Sequence, residues 1–304
     1  MPKIQARNID EALYQRIEAS AMKHERSLEG EIRIALRDYY TPVEAETSPL
    51  SLRERWQQQT GERLQWLFDQ LVADGVLDQW QGERPAGIAD IVRIARQLGT
   101  SPGQLMDLLE GRKEMLPAMA DELAGRFSAS ADWLLSGTDT PFPVLRIGHG
   151  YRDFLLPEDD DGQNVFEFIR IDGGHHDGTL IIIRVNARTQ ALSVGVVTSG
   201  FILARGMGGG GHGYLKEFLL FLKTKCHRLA INTFDFKPDD PEFDFWSVIG
   251  QHHPIWFRNA KQRSTASWLQ QLYSGTDPAD WFEGWQSDLD EIAMVPFGGE
   301  TKIE

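Results

Sequence analysis

A single cysteine in 304 residues, Cys226, has no partner for an internal disulfide and no second thiolate with which to hold a metal. That scarcity fits a reducing compartment and gives the thiol the character of a small core residue. Long apolar runs are missing as well. Apolar residues make up 41% and charged residues 25% of the chain, but no stretch approaches the ~20 consecutive apolar residues a helix needs to cross a bilayer. The opening segment MPKIQARNID turns polar at once, without the charged, apolar and small-residue regions of a secretory leader. The expectation is a cytoplasmic globular protein with no membrane contact, long enough for two or three domains.

Positive charge is also in deficit. Lys and Arg number 31 against 45 Asp and Glu, a formal net charge of −14. A protein that coats nucleic acid by charge alone is excluded, because sequence-independent affinity comes from neutralising phosphates. Residues 1–40 nevertheless carry seven basic and seven acidic side chains, so the negative excess lies downstream. Contact with DNA would therefore be local and geometric, and the acidic remainder would weaken binding to random sequence. Catalytic signatures are absent too: no Ser-His-Asp elbow, no Walker loop and no Ser/Lys pattern of a self-cleaving repressor is found. The pairs His175-His176 and His252-His253, with His212 and His227, lack the i, i+4 spacing that would bring two imidazoles to one metal. No catalytic and no metal-ligating residue is expected.

What is present is organised in blocks. A short strand pattern at 3–7 leads into amphipathic helical patterns at 10–24 and 27–40. Residues 41–50 contain Pro42 and Pro49 and show no periodicity, which marks a linker. From 51 to 140 the pattern is helical, over 51–74, 88–98, 102–111, 116–127 and 130–135, with Gly99, Gly111 and Gly137 as stops. Beyond Pro141-Phe142-Pro143, β-branched and aromatic runs predict strands at 165–171, 179–185, 191–197, 201–204 and 228–236. A helix is expected over Tyr214–Lys225, and the tail after about residue 290 reads as irregular.

In Lys3-Ile4-Gln5-Ala6-Arg7 polar and apolar residues alternate, so a strand sends Lys3, Gln5 and Arg7 to one face. A strand this short is stable only if a second copy pairs with it. A two-stranded ribbon fits the major groove, where Arg and Lys read guanine and Gln pairs with adenine, at about 1–3 kcal/mol of discrimination per good contact. Asp10 and Ser27 are suitable N-caps for the two helices. The segment resembles the FitA-type antitoxins and their Arc/MetJ relatives in Ala6-Arg7-Asn8-Ile9 and in Arg26-Ser27-Leu28-Glu29-Gly30-Glu31-Ile32-Arg33. The resemblance implies a ribbon-helix-helix fold over 1–40, a homodimer, and a double-stranded operator read by Lys3, Gln5 and Arg7. It also implies a phosphate held at Ser27-Leu28, where unpaired backbone N–H groups favour an anion. Such regulators are common on plasmids and other mobile elements. The companion reading is an antitoxin, but FitA-type chains wrap a toxin with a short tail, whereas about 260 residues follow here.

The run Ile91–Lys113, then Ala120–Phe127 and Ser130-Ala-Asp-Trp-Leu-Leu-Ser-Gly137, resembles lambda-repressor-like (Xre) helix-turn-helix domains. That implies a middle domain over 51–140 whose recognition helix would offer Ser101 and Gln104 to bases and Arg112 and Lys113 to phosphates. Asp107 and Glu110 on the same helix oppose that insertion. In the α+β domain expected over 144–304, Arg205-Gly206-Met207-Gly208-Gly209-Gly210 is similar to the coenzyme A loop of GNAT acetyltransferases. What this implies is acetyl-CoA or another anionic ligand held by Arg205, Gly206, Gly208 and Gly210. The family's general-acid Tyr has no counterpart in its usual setting, so acetyl transfer stands as a rival reading to a ligand sensor or a surface for a protein partner. The aromatics Phe243, Phe245, Trp246, Trp256, Trp268, Trp281 and Trp285 suit a pocket, an interface or plain core. Taken together, the expected fold is multidomain: a ribbon-helix-helix, an all-α helix-turn-helix-like middle domain and a C-terminal α+β domain.

Overall fold

A computed structural model describes residues 8–40, 49–77, 84–148, 150–157 and 163–299. The chain divides into two compact units, Met1–Ser51 and Leu52–Glu304. The first holds two helices of equal length, α1 (Glu11–Lys23) and α2 (Leu28–Tyr40). The second holds ten helices and a six-stranded sheet among its described residues. No helix of the described residues is long and apolar enough to cross a membrane.

The second unit opens with α3 (Leu52–Ala73), α4 (Ile88–Gln97), α5 (Pro102–Leu109), α6 (Pro117–Phe127) and α7 (Ala131–Ser136). Their apolar residues repeat at helical spacing and converge on one core: Leu64, Leu67, Phe68, Leu71 and Val72 from α3, Ile91, Ile94 and Ala95 from α4, and Leu105 and Leu108 from α5. Local chemistry fixes the ends. Ser101 and Ser130 accept from the backbone N–H of Gln104 (3.2 Å) and Trp133 (3.1 Å), and Gly99, Gly111 and Gly137 take the left-handed conformation beyond their helices. Gly61, in the middle of α3, lets the α5 backbone approach: a Cβ there would lie 2.6 Å from the Leu109 carbonyl oxygen and 2.7 Å from that of Leu108. Helix propensity alone favours Ala over Gly by about 1 kcal/mol. We expect the opposite sign: Gly61→Ala should lower unfolding stability by about 1–3 kcal/mol through overpacking. A raised urea midpoint would show instead that the two helices separate without loss.

The sheet has the order β1-β4-β3-β2-β5-β6. Its strands are β1 (Val144–Arg146), β2 (Asn164–Ile171), β3 (Leu180–Asn186), β4 (Leu192–Val196), β5 (Ala230–Phe236) and β6 (Arg263–Thr265). β2, β3 and β4 form an antiparallel meander, β1 runs parallel to β4, β5 parallel to β2, and β6 antiparallel to β5. Both faces are covered, which is why β2 and β3 read as nearly continuous apolar runs. Phe166, Phe168, Leu180 and Ile182 pack on one side with Leu215, Phe218 and Leu222 of α9 (Gly209–Thr224), while Ile169, Ile171, Ile181 and Ile183 pack on the other with Phe236, Phe245 and Phe257. The remaining helices are α8 (Tyr151–Leu155), α10 (Ile255–Asn259), α11 (Trp268–Tyr273) and α12 (Gln286–Met294). Trp268 and Trp285 are buried in the core with α9, so these two aromatics serve packing.

The helical and sheet portions of this unit are hydrogen-bonded to one another. The buried Asp74 carboxylate, at the end of α3, accepts from the backbone N–H of His253 (2.7 Å) and lies 2.7 Å from His252 Nδ1. Phe142 N–H donates to the Gly250 carbonyl (3.1 Å), and the Ser128 hydroxyl accepts from Leu192 N–H (2.9 Å). The His253 ring stands edge-on to Phe142, and burial pushes its imidazole down to about 4. Cys226 is buried as expected, with its thiol pushed up to about 12 by the same loss of solvent.

Three local expectations are corrected. Residues 201–204 form no strand: β4 ends at Val196, Gly200 turns the chain at φ +98°, and Phe201, Leu203 and Ala204 are loop residues buried in the core. The helix expected from Tyr214 begins earlier, at Gly209, so the glycines form its first turn. The tail past 290 is not irregular from there, because α12 continues to Met294. Leu289 and Ile292 anchor that helix, and the buried Lys223 ammonium donates to the Ile292 carbonyl at its end (2.7 Å).

Candidate nucleic-acid interface

The first unit is built from local signals. Asn8 takes a positive φ of 59°, which Asn tolerates better than most residues, and turns the chain into α1. Asp10 Oδ1 accepts from Leu13 N–H (3.1 Å) and caps that helix. At the other end Glu25 sits in the left-handed region at φ 53°, its N–H donating to the Met22 carbonyl (3.2 Å) while Arg26 N–H donates to that of Ala21 (2.9 Å). This is the double bond of a Schellman turn, and it brings the chain directly into α2. Ser27 caps α2: its hydroxyl accepts from Gly30 N–H (3.1 Å) and its carbonyl from Glu31 N–H (2.9 Å). The N–H groups of Leu28 and Glu29 then have no carbonyl within the helix to bond, which with the helix dipole favours an anion at this end. The Glu29 carboxylate is turned along the helix to Arg33 (3.0 Å), which offsets its repulsion of that anion.

Sequence reasoning missed the polar cluster behind this end. Glu31 is buried, and its Oε1 accepts from the Ser20 hydroxyl (2.7 Å) and lies 2.8 Å from His24 Nδ1. Arg26 is 3.5 Å from Oε2. The Ser20 and then the His24 hydrogen bond hold the Glu31 carboxyl below the usual carboxylate range, against the opposing effect of burial. The cluster joins α1, the turn and α2 through side chains eleven and seven residues apart. The only sequence signal was a second glutamate at the fifth position after the turn arginine.

Of the expected DNA-contacting residues, Lys3, Gln5 and Arg7 lie outside the described residues. Ser27 is exposed and Leu28 half-buried at the amino end of α2. In the second unit Ser101 and Gln104 sit together at the start of α5, where the Ser101 hydroxyl accepts from Gln104 N–H and the Gln104 side-chain oxygen accepts from the Thr100 hydroxyl (2.6 Å). Arg112 is exposed and paired with Glu110 (2.7 Å), and Lys113 is exposed beside it.

Arg205 and Gly206 line a cavity of about 700 Å³ together with His212, Asp280 and Trp281. The Arg205 Nε donates to the Asp280 carbonyl and its Nη2 to the Ala279 carbonyl, each at 3.1 Å. Gly206 has φ +87°, Gly208 is the N-cap of α9, and Gly210 faces open space in the first turn. A cavity of about 390 Å³ adjoins this end, with Thr198, Ser199, Met207, Gly208, Gly211 and Trp246 among its walls. The histidines are dispersed: His175 meets Glu242 (3.0 Å), His176 meets Asp244 (3.0 Å), His212 stacks on Trp285 and His227 Nδ1 lies 3.1 Å from the Thr224 carbonyl.

No curated protein and no solved structure matches the chain. Residues 2–40, however, match the family model described as "Antitoxin FitA-like, ribbon-helix-helix", which assigns a FitA-like ribbon-helix-helix domain to that segment.

Proposed function

We propose that this protein is a sequence-specific DNA-binding regulator that acts as a homodimer, its paired N-terminal strands lying in the major groove of an operator. Lys3, Gln5 and Arg7 read base edges, and the amino end of α2 at Ser27-Leu28 holds a backbone phosphate. The observation that carries this reading is the family match over 2–40, joined to a capped helix-turn-helix pair whose second helix starts with unpaired N–H groups. Dimerisation follows from the same segment, because Leu13, Tyr14 and Leu36 are exposed while Ala21 is the only buried apolar residue among those described there. The second unit supplies the signal input, through a ligand in the cavity beside α9 or a protein partner, rather than a second base reader.

The test is selection of genomic DNA fragments by the full-length protein and by Arg7→Ala. The native protein is expected to recover a short repeated half-site. The variant loses about 1–3 kcal/mol per contact, enough across two copies to abolish that enrichment. Recovery of one site by both proteins would place base reading elsewhere, on α5 in the first instance.

The family's own description supports a second reading, an antitoxin that neutralises a toxin and represses its own operon. Failure of both proteins to select DNA, together with a stoichiometric toxin co-purifying from the native host, would favour it.

A further inference from the structure

We propose that a cavity at the seam between the helical and sheet portions of the second unit binds a small organic cation, an alkyl- or quaternary-ammonium compound, against Trp66 and Trp133 and beside the carboxylates of Glu62 and Asp139. The inference is independent of the DNA-binding reading, and this cavity shares no lining residue with the one beside α9.

The walls are set by local structure. Glu62 and Trp66 are four residues apart on α3 and therefore share one helix face. Trp133 comes from α7, Asp139 from the segment that leaves it, and Gln251 from the sheet portion; with the α3 residues they line a cavity of about 570 Å³, within the ~300–1,000 Å³ usual for small-molecule sites. Hydrogen bonds around the cavity hold the walls in place. Trp56 Nε1–H donates to the Leu135 carbonyl (2.7 Å), Ser130 N–H to that of Pro141 (2.8 Å) and Phe142 N–H to that of Gly250 (3.1 Å). The site is formed in advance, so binding need not order it.

Two indoles give the cavity its chemistry. The Trp66 and Trp133 ring centroids lie 5.1 Å apart with the planes at 62°, and both side chains are half-buried. An indole face carries negative charge density and attracts a cation, and quaternary ammonium ions are the ligands that such aromatic sites recognise best. The carboxylates act in the same direction. Asp139 forms no hydrogen bond or ion pair among the described residues, and Glu62 has only the charge of its neighbour Arg63 beside it. Arg63 does not cancel them: its Nε donates to the Leu134 carbonyl (2.9 Å) and its Nη2 to the Leu135 carbonyl (3.1 Å), so its charge is turned to the carboxyl end of α7. The cavity is net negative.

Other ligand classes fit less well. An anion would meet two carboxylates. A metal ion needs several oxygen or nitrogen ligands, indole faces offer none, and no group of three His, Cys, Asp or Glu side chains suited to a metal occurs among the described residues. A neutral apolar ligand would strip water from Glu62 and Asp139 with no compensating interaction. An organic ammonium ion satisfies both parts of the wall, its alkyl groups on the rings and its charge beside the carboxylates. Such a ligand would bridge α3 and α7 to the sheet portion, across the seam already tied by Asp74 and His253.

The test uses the full-length protein with choline as the probe and 3,3-dimethylbutan-1-ol, of the same shape but uncharged, as its control. Calorimetric titration in about 150 mM salt should give a single saturable site per chain for choline and binding about tenfold weaker, or none, for the alcohol. Asp139→Asn, at an exposed position, should weaken choline several-fold and leave the alcohol unchanged, a split that a merely structural residue would not produce. Trp133→Leu should abolish choline binding, whereas Trp133→Phe, which keeps an aromatic face, should retain part of it. Should the leucine variant fail to fold, the native protein and Asp139→Asn still decide the matter. No saturable heat with choline up to about 20 mM, equal affinity for choline and the alcohol, or unchanged choline affinity in Asp139→Asn would each overturn the inference and leave the DNA-binding reading standing.

Discussion

Residues 1–51, cut from the rest of the chain, are expected to lose their helical circular dichroism on dilution. The two helices are 13 residues each, at the length below which isolated helices are marginal in water, about 12–15 residues. Tertiary packing must supply the rest, and one copy has little of it. Ala21 is the only buried apolar residue among those described in this unit, Ile17, Leu28, Ile32 and Ile34 are half-buried, and Leu13, Tyr14 and Leu36 are exposed. The Glu31 cluster orders the turn but is polar and contributes no apolar burial. Helix formation should therefore be coupled to association, so that folding obeys mass action and the midpoint rises with protein concentration. Circular dichroism over a wide dilution series, read beside sedimentation equilibrium, decides the matter. A monomer whose helicity is independent of concentration would sink both this expectation and the homodimer on which the proposed function depends.

Glu167→Ala should be among the most damaging single substitutions in the second unit. Glu167 lies on β2, buried, with Arg258 Nε 3.1 Å from Oε1 and Arg263 Nη2 3.0 Å from Oε2. The Arg263 side chain is itself largely buried, stacked 3.5 Å over the Phe234 ring, and burial lowers its affinity for the proton. Removing the carboxylate leaves that cation without its counter-charge, which costs about 3–5 kcal/mol where one partner of a buried pair is lost. Domains are stable by only about 5–15 kcal/mol, so the loss would be visible as a large drop in denaturation midpoint. The double variant Glu167→Leu with Arg263→Leu should recover much of it, because replacing a buried ion pair by apolar groups is often neutral or better. A single variant costing under about 1 kcal/mol would mean that water reaches Arg263 freely.

Where structure follows from neighbours in the chain, the sequence was a good guide. The amphipathic repeat of Leu64, Leu67, Phe68, Leu71 and Val72, the caps at Asp10 and Ser27, and the glycine stops at 99, 111 and 137 each depend on residues a few positions apart. The long strands β2, β3 and β5 were legible for the same reason. The signal failed where one apolar run can serve two purposes. Phe201 to Ala204 has the composition of a strand, yet these residues fill the core from a loop, because the register of β3 on β4 ends at Val196. The short strands β1 and β6, three residues each, carry no period of their own and exist only because β4 and β5 offer them an edge.

The same division holds for function. The alternation in Lys3 to Arg7 gave one polar strand face, and the resemblance of Ala6–Ile9 and Arg26–Arg33 to FitA-type antitoxins implied the ribbon-helix-helix module. That Glu31 would be buried against Ser20 and His24 was decided only when α1 folded back on α2, because no periodicity says which side chains of two helices will meet across a turn. Likewise the glycines near 208 stand out in the sequence, but that α9 starts among them and that Arg205 donates to the carbonyls of Ala279 and Asp280, some 75 residues away, was set by the fold. Local conformational preference is written residue by residue; the partner of a charged or polar group is set by where the chain returns, and that is a property of the packed structure alone.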